Sequence, residues 1–322
     1  MKAIICNDFG PIENIEYKEV DEPKIDKDSI IINVKSVGVN FPDGLLVQGK
    51  YQLKPETPFI PGMEIAGEVI ELGSNVTNFK LGDRVAALSQ LNGYAEKALA
   101  KTSSSFNIPE NMSFDDACAL LCAYGTSHYA LKQRAQLKKD ETLVVLGASG
   151  STGIAAIQIG KIMGARVIAV ASSSEKQKVA KENGADLTIG YDNLKERLKE
   201  ISGGKGIDVI FDPVGGDIFD TAARTMARKG RLLVIGFASG SIPKFAVNLA
   251  LVKEFSVVGV FWGAFTRSEP DEYKENMTEL FDWYEKRLLK PLIEENYHLS
   301  EAAPVLKKIL DRGAKGKIVL KP

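Results

Sequence analysis

Two patterns of hydrophobic and polar positions divide the chain. Up to about residue 110, short β-branched runs such as 30–34 and 65–70 are separated by turns rich in Gly, Pro and Asn. From Glu141 onward, apolar strand-like runs alternate with helix-like stretches. The first pattern predicts a compact β module. The second predicts successive βα units that build a parallel sheet covered on both faces.

The elements of the second half can be placed individually. The predicted strands are 143–146, 166–170, 207–211, 231–235 and 255–260, and a helix over 154–163 follows the first of them. A helix-like stretch at 273–290, a helix at 301–311 and a last strand at 317–320 follow, and the chain end is predicted to rejoin the β module. Ser113 is a predicted helix cap, and the helical segment 115–133 is expected to connect two domains.

Charge and scarce residues argue against several functions. With 41 Lys and Arg against 42 Asp and Glu, the formal charge is −1, so no overall positive field favours nucleic acid or anionic lipid. Two histidines and three cysteines offer few zinc ligands, and Cys118 and Cys122 have the spacing Cys-x3-Cys rather than Cys-x2-Cys. We therefore predict neither a metal site nor a nucleic-acid partner.

Targeting and membrane signals are not found in the sequence. The N-terminus has no signal-peptide core, and the longest apolar stretch, 255–265, is far shorter than the roughly 20 residues that a membrane span needs. An odd number of cysteines without a secretion signal favours reduced thiols. The expectation is a cytoplasmic protein with no membrane partner.

A glycine-rich turn marks the candidate cofactor site. The strand 143–146 runs directly into Gly147-Ala148-Ser149-Gly150-Ser151-Thr152-Gly153, and the apolar helix follows. Glycines let the backbone approach a pyrophosphate closely, and the helix N-terminus offers it free N–H groups. Because the spacing Gly-x-x-Gly-x-x-Gly departs from the usual Gly-x-Gly-x-x-Gly, a βα turn without a ligand is the alternative.

The residues after the second strand bear on the choice of cofactor. An NAD-binding fold has an Asp or Glu at this point, whereas this chain has Ala171-Ser172-Ser173-Ser174-Glu175-Lys176. Serine hydroxyls and the Lys176 ammonium would bind a 2′-phosphate, which favours NADPH. Two alternatives stay open: Ser172 and Glu175 form a capping box for the next helix, or Glu175 binds the ribose of NAD.

Six further motifs extend this picture over nearly the whole chain. They are VGVNFPD at 37–43, PGMEIAG at 61–67, GDRV at 82–85, YGTSHYA at 124–130, FDPVGG at 211–216 and GKIV at 316–319. In combination they resemble the medium-chain dehydrogenase/reductase superfamily, and within it the zinc-free quinone oxidoreductases. The resemblance implies an α/β protein with a GroES-like β-rich N-terminal domain and a Rossmann-type doubly wound parallel sheet.

The departures from the zinc-dependent members of that superfamily bear on the chemistry. Those enzymes carry a Cys where this chain has Asn40 and a Gly-His-Glu where it has Gly62-Met63-Glu64, and their four-cysteine structural zinc lobe is missing. Without a Lewis acid to polarise an alcohol, the implied reaction is hydride delivery to an acceptor that is already electron-poor, such as a quinone or an α,β-unsaturated carbonyl.

The resemblance also implies site residues. Asn40 and Tyr129 would lie beside the nicotinamide, Asp43 comes with the same motif as Asn40, and Tyr51 would hydrogen-bond the acceptor oxygen; we take these four as the catalytic candidates. His128 is interpreted as structural, since a lone histidine usually is. The candidate cofactor-binding residues are Asn40, Thr126, Tyr129, Gly147, Ser149, Gly150, Ser151, Thr152, Gly153, Ser172, Ser173, Lys176, Tyr191, Gly236, Phe237, Phe261, Trp262, Gly263 and Lys317.

These observations lead to one reading of the whole chain. A GroES-like substrate domain is expected over 1–118, a Rossmann NADPH-binding domain over 119–262, and a segment completing the first domain over 263–322. The predicted function is zinc-independent, NADPH-dependent reduction of a quinone or enone. The alternatives are an enoyl-thioester or alkenal reductase of the same superfamily, or a non-catalytic NADPH-binding protein. The resemblance suggests a homodimer, formed through the apolar edge strand at 255–261.

Overall fold

The computed structural model describes all 322 residues, Met1–Pro322, and the chain forms two compact units. The first contains Met1–Cys122 and Lys290–Pro322, and the second contains Ala123–Leu289. The boundaries expected from the sequence, 118/119 and 262/263, differ most at the second position. The difference arises because the helices after residue 262 pack against the helical segment at 125–129, within the second unit.

Fifteen strands and eleven α-helices make up the two units. The strands are β1 (Lys2–Ile5), β2 (Glu16–Glu19), β3 (Ser29–Gly38), β4 (Glu64–Leu72), β5 (Arg84–Leu88), β6 (Lys97–Lys101), β7 (Ser105–Asn107), β8 (Thr142–Leu146), β9 (Arg166–Val170), β10 (Leu187–Ile189), β11 (Ile207–Asp212), β12 (Met226–Val234), β13 (Ser256–Gly259), β14 (Ile293–His298) and β15 (Lys317–Lys321). The helices are α1 (Phe41–Val47), α2 (Phe114–Ala119), α3 (Gly125–Tyr129), α4 (Ser151–Ile162), α5 (Ser174–Glu182), α6 (Leu194–Ile201), α7 (Asp217–Ala223), α8 (Asn248–Lys253), α9 (Trp262–Ser268), α10 (Pro270–Glu285) and α11 (Ala302–Leu310).

The first unit is built on a seven-stranded sheet. Its order is β14-β15-β3-β4-β5-β7, with β6 pairing antiparallel to β3, and β1 and β2 form a separate antiparallel pair. The chain end rejoins this unit, as predicted, because β15 pairs antiparallel with β3 through Val319 opposite Gly38. That pairing brings residues from the two ends of the chain onto neighbouring strands.

The second unit is a doubly wound parallel sheet. Its strand order, β10-β9-β8-β11-β12-β13, reverses direction between β8 and β11. The predicted fold class and the predicted strands of this sheet are confirmed, although β12 begins five residues earlier than expected, at Met226. In open sheets of this kind, ligands bind beyond the carboxyl ends of the strands at the point where the order reverses. The glycine turn after β8 lies at that point.

The predicted connecting helix is also confirmed, with an irregularity. Ser113 begins α2, since its Oγ accepts the Asp116 N–H at 3.1 Å. The helical run continues to Arg134, but π-helical segments at Leu120–Tyr124 and Ala130–Arg134 flank α3. Such segments are frequent next to functional residues. None of the eleven α-helices has the length and apolar character needed to cross a membrane.

Candidate functional site

The glycine turn links β8 to α4 in a conformation that only glycine adopts freely. Gly147 has a positive φ of 59°, and its carbonyl accepts the Gly150 N–H at 3.1 Å. Gly150 precedes the first turn of α4, and a Cβ placed on it would meet nothing closer than the Gly147 oxygen at 3.6 Å. The first N–H groups of a helix have no partner within it. This end of α4 therefore has the open backbone that a pyrophosphate needs.

Two contacts hold the turn in place. A Cβ on Gly153 would lie 2.8 Å from the Ala148 Cα, so glycine is required for the close approach of α4 to the turn. The Tyr191 hydroxyl, just beyond β10, accepts the Gly147 N–H at 2.9 Å. The family resemblance implies that Tyr191 binds the cofactor, and the structure gives its hydroxyl this contact with the turn. Ser149 is buried, and Ser151 and Thr152 are half-buried.

The serine-rich segment after β9 lies at the same sheet edge, because the ends of β8, β9 and β10 are side by side. The cap of α5 is Ser173, whose Oγ accepts the Lys176 N–H at 3.3 Å. The cap therefore lies one position after Ser172, which was the capping residue in one of the alternatives left open by the sequence. Ser172 is exposed and stands outside the cap, and Lys176 is half-buried in the first turn of the helix.

A buried aspartate organises the neighbouring loop after β11. Asp212 is 1% exposed, and its Oδ1 accepts the N–H groups of Val214 at 2.8 Å and Gly215 at 2.9 Å. Asp212 therefore caps this turn. A Cβ on Gly215 would come within 2.7 Å of the Phe237 ring, so this glycine makes room for the loop that contains Gly236 and Phe237.

The aromatic candidates of the second unit have different environments. Phe261 is 58% exposed, whereas Trp262 is 7% exposed and packs so closely on Gly125 that a Cβ there would lie 2.7 Å from its ring. The half-buried ring of Tyr129 stacks on Phe265, with centroids 4.1 Å apart. Burial raises the pKa of the Tyr129 hydroxyl above its ordinary value.

Two neighbours of Tyr129 on α3 fasten that helix within the second unit. The Ser127 Oγ donates to the Thr152 carbonyl at 3.0 Å, which ties α3 to the first turn of α4. His128 is fully buried and its Nε2 lies 2.9 Å from Glu279 Oε2. Burial lowers the pKa of His128 to about 4, although the Glu279 charge opposes this. Thr126 is half-buried on the same helix, and Gly263 is the second residue of α9, directly after Trp262.

In the first unit, a buried polar cluster surrounds the start of α1. Asn40 precedes the helix, and Asp43 in its first turn accepts the Asn40 backbone N–H on Oδ2 at 2.8 Å. The same oxygen accepts the hydroxyl of Tyr94 at 3.0 Å. Burial raises the pKa of Asp43 to about 7, against the opposing effects of these hydrogen bonds and the Lys317 charge. Burial likewise raises the pKa of Tyr94 well above its ordinary value.

A buried ion pair completes this cluster. The Lys317 ammonium on β15 pairs with the Glu64 carboxylate on β4 and donates to Asn40 Oδ1 at 2.8 Å. The side chains of Lys317 and Glu64 are 2% and 0% exposed. Glu64 Oε2 also accepts the Cys122 N–H at 2.8 Å. Although burial opposes the charged form, the Glu64 carboxylate raises the pKa of Lys317 above its ordinary value.

The structure therefore brings Asn40, Asp43 and Lys317 together, and adds Glu64 and Tyr94, which the sequence did not indicate as site residues. Glu64 was visible in the sequence as part of the PGMEIAG motif, but nothing in the spacing connects Tyr94 with Asp43. Tyr51, the remaining candidate of this unit, is half-buried and packs against the apolar core of the unit.

No three His, Cys, Asp or Glu side chains converge in a way that could hold a metal ion. At the start of α1, the group that faces Glu64 and Asn40 is a cation, the Lys317 ammonium. Since a metal ion and an ammonium group repel each other, these residues do not fit a zinc site of the kind that the superfamily's alcohol dehydrogenases contain.

Comparisons with known proteins agree with this architecture. Residues 26–136 match the model of the alcohol dehydrogenase GroES-like domain, and residues 151–283 match the model described as zinc-binding dehydrogenase. A quinone oxidoreductase-like protein 2 homolog from Nematostella vectensis is 38% identical, over 99% of this chain and 88% of that protein. The human quinone oxidoreductase is 32% identical, over 99% of this chain and 97% of its own.

Solved structures give the same result. The crystal structure of Escherichia coli quinone oxidoreductase complexed with NADPH superposes with a TM-score of 0.93 at 28% identity, and both chains are covered completely. The fold and the glycine turn thus define an oxidoreductase with a GroES-like domain and a Rossmann-type domain. The chain belongs to the quinone oxidoreductase subfamily of the medium-chain dehydrogenase/reductase superfamily, and the predicted family is confirmed.

Proposed function

We propose that this protein is a zinc-independent reductase that uses NADPH to reduce a quinone or an α,β-unsaturated carbonyl compound. The observation that carries the proposal is the glycine turn at the reversal point of the parallel sheet, with the open N-terminus of α4 beside it. When bound, NADPH would supply the hydride. The turn and the first N–H groups of α4 would hold its pyrophosphate.

The choice of NADPH over NADH is supported by the segment after β9. Ser172 is exposed outside the helix cap, and the side chain of Lys176 comes from the first turn of α5. A hydroxyl and an ammonium group suit a 2′-phosphate, and Ala171 directly follows β9, where NAD-binding folds have an Asp or Glu for the ribose. The relative from Escherichia coli was crystallised with NADPH, which agrees with this assignment.

The catalytic roles rest mainly on positioning. We assign to Asn40 and Tyr51 of the first unit, and to Tyr129 of the second, the role of orienting the donor and acceptor carbons for hydride transfer. Tyr51 would donate a hydrogen bond to the acceptor oxygen as negative charge develops there. Asp43 supports Asn40 because its carboxylate accepts the backbone N–H of Asn40.

The acceptor is tested by a screen of NADPH oxidation at 340 nm. Purified protein is mixed with NADPH and, in separate reactions, with 1,4-benzoquinone, a medium-chain alkenal and an enoyl thioester. We expect the quinone to give the highest kcat/KM, with slower reduction of the alkenal. Fastest reduction of the enoyl thioester would replace the quinone with a thioester as the substrate class. No oxidation with any acceptor, together with tight NADPH binding, would favour a non-catalytic NADPH-binding protein.

We further propose that the protein is a homodimer joined through the edge strand β13. This strand has a neighbour on one side only, so its other side presents unpaired N–H and C=O groups. Val257 on β13 is 39% exposed, and the preceding segment exposes Val247, Leu251 and Val252 by 75% or more. Apolar exposure of this extent is typical of a surface that is covered in the assembled protein.

A further inference from the structure

The Asn40 carboxamide is held in one orientation by the Lys317 ammonium. An ammonium group has three donors and no acceptor. The Asn40 atom that lies 2.8 Å from the Lys317 Nζ must therefore be the oxygen, and the Nδ2 amide group must point to the other side. The backbone of Asn40 is held as well, by Asp43 Oδ2 at 2.8 Å. Both ends of the residue are thus fixed.

The group left over is a hydrogen-bond donor. Asn40 Nδ2 is buried and has no hydrogen-bond partner, and in the same cluster Asp43 Oδ1, an acceptor, also has none. Buried donors without a partner are rare in folded proteins because the unmade hydrogen bond costs stability, and those that persist call for a ligand, a water molecule or a functional explanation. An oxygen acceptor from a bound molecule would satisfy this donor.

Lys317 itself is held in place by Glu64. The Glu64 side chain is fully buried, accepts the Cys122 N–H, and leaves its other oxygen for the ammonium. The strand opposite has Gly38 in register with Glu64, and a Cβ there would lie 2.8 Å from the Glu64 Cγ. Glu64 therefore positions Lys317, and Lys317 in turn positions Asn40.

We propose that Lys317 is a positioning residue, whose ammonium group turns the Asn40 carboxamide so that its Nδ2 donor meets a carbonyl oxygen of a bound substrate. The inference rests on the proposed function for the identity of that substrate, since both a quinone and the nicotinamide carboxamide carry such an oxygen. It assigns to Lys317 an indirect role through Asn40, in place of the direct cofactor contact that the family resemblance implied.

The main test removes the buried pair as a pair. The variant Glu64→Gln/Lys317→Met leaves no unpaired buried charge and keeps an amide oxygen for the Cys122 N–H, so we expect it to fold. Its kcat/KM should fall by roughly 10- to 100-fold, the size of effect that a misplaced orienting group produces. The matched control is Lys321→Met on the same strand. Lys321 pairs with Asp115 and donates to Ser36, away from Asn40, and its loss should leave kcat/KM within about twofold.

A comparison with Asn40→Ala separates positioning from a general structural effect. If Lys317 acts through Asn40, the triple variant Asn40→Ala/Glu64→Gln/Lys317→Met should be no slower than Asn40→Ala alone. Losses that multiply in the triple variant would overturn the proposal, as would full activity of the double variant. Full activity of Asn40→Ala would also overturn it, because the free donor would then have no substrate to meet.

Two ligands identify which carbonyl the donor meets. NADPH and 2′,5′-ADP, which lacks the nicotinamide, are titrated into wild type and Asn40→Ala. Weaker binding of NADPH with unchanged binding of 2′,5′-ADP would assign the donor to the nicotinamide carboxamide. Unchanged binding of both, with a lower kcat/KM for the quinone, would assign it to the acceptor.

A readout without turnover keeps the proposal testable if no acceptor is reduced. In ¹⁵N-labelled protein, the side-chain NH₂ signals that disappear in Asn40→Ala identify Asn40. We expect one sharp pair in wild type and in Lys321→Met, and a shifted or doubled pair in Glu64→Gln/Lys317→Met. An unchanged pair would overturn the positioning role, whereas an inactive wild type with the expected spectra would count only against the proposed function.

Discussion

A buried carboxyl group such as Asp43 has no water to stabilise its charge. The two hydrogen bonds to its Oδ2 and the nearby Lys317 compensate only in part, so the pKa of this group rises to about 7 instead of falling. At the residue scale, therefore, one and the same cluster contains a permanently paired charge at Lys317 and a carboxyl group that exchanges a proton near neutral pH.

This difference predicts a pH dependence of stability. The pKa of Asp43 is raised above its ordinary value of 3.8. Between about pH 4 and 7, the folded protein therefore keeps a proton on Asp43 that the unfolded chain has already lost. Stability from this group should fall as the pH rises across that window, by up to about 4 kcal/mol, and change no further above it. Urea unfolding at pH 5, 6, 7 and 8 should show this slope in wild type and not in Asp43→Asn.

The exposed Asp311, at the end of α11, provides the control. The Asp311→Asn variant should keep the wild-type slope. Parallel curves for wild type and Asp43→Asn would mean that Asp43 ionises in the folded protein as it does in the unfolded chain.

A second prediction at the residue scale concerns Lys176. If its ammonium binds the 2′-phosphate, Lys176→Glu should raise KM for NADPH by roughly 10- to 100-fold, which corresponds to a lost charged hydrogen bond of about 1.5–3 kcal/mol. KM for NADH should change little. Steady-state kinetics with both cofactors measures this, and Lys178→Glu, an exposed position on the same helix that pairs with Glu182, is the control. Equal KM values for NADPH in Lys176→Glu and wild type would remove the assignment.

At the scale of elements, strands β3 and β4 approach each other closely where the buried ion pair begins. Gly38 and Glu64 are partners in the register, and the glycine hydrogen leaves the space that the Glu64 side chain occupies. The packing of Glu64 against β3 therefore requires a glycine at position 38 of the VGVNFPD motif. A side chain on β3 at this point would compete with Glu64 for the same volume.

We expect Gly38→Ala to displace Glu64 from Lys317. Because disrupting a buried pair on one side costs about 3–5 kcal/mol, the free energy of unfolding should fall by an amount of that order, measured by urea denaturation. The control is Gly10→Ala, where a Cβ would meet only the Asn14 side chain at 3.5 Å. A loss below about 1 kcal/mol in Gly38→Ala would contradict the crowding argument.

The edge strand β13 carries another element-scale prediction. A charged side chain on an edge strand opposes pairing with a second strand. Light scattering should give twice the chain mass of 35.0 kDa for wild type and a lower average mass for Val257→Lys. Leu81→Lys, at a 64% exposed position in the first unit, should stay dimeric. A monodisperse monomer for wild type would rule out the proposed dimer.

At the scale of the whole molecule, the proposed zinc-independent reaction is supported by two sequence positions and one buried cation. Asn40 and Met63 stand where the zinc-dependent relatives have Cys and His, and Lys317 supplies a buried positive charge beside Asn40. A cation that belongs to the protein is not removed by chelators.

Exhaustive dialysis against EDTA should therefore leave kcat/KM for quinone reduction unchanged, within about 20%. The reason is that the positive charge beside Asn40 is the Lys317 ammonium, which EDTA does not remove. A zinc-dependent alcohol dehydrogenase treated in parallel should lose its activity. Loss of activity in this protein, followed by recovery on addition of zinc, would show that the reaction depends on the metal.

Much of the fold could be predicted because hydrophobic periodicity is a local property. The alternation of apolar runs and helices after residue 141, the glycine turn and the Ser113 cap all involve residues close together in the chain. The sequence leaves the cap of α5 undecided because three successive serines offer equivalent caps, and only the helix geometry selects Ser173.

The sequence by itself determined the fold class, the family and the turn suited to a dinucleotide. Only the tertiary structure decided that Lys317, 277 residues after Asn40, turns the carboxamide of that residue, and that Tyr94 donates to Asp43. Periodicity states which positions are buried, but it does not state which buried polar groups meet. Those partners are chosen by strand register and by the need of each buried charge or donor for a complementary group, and both depend on the folded arrangement.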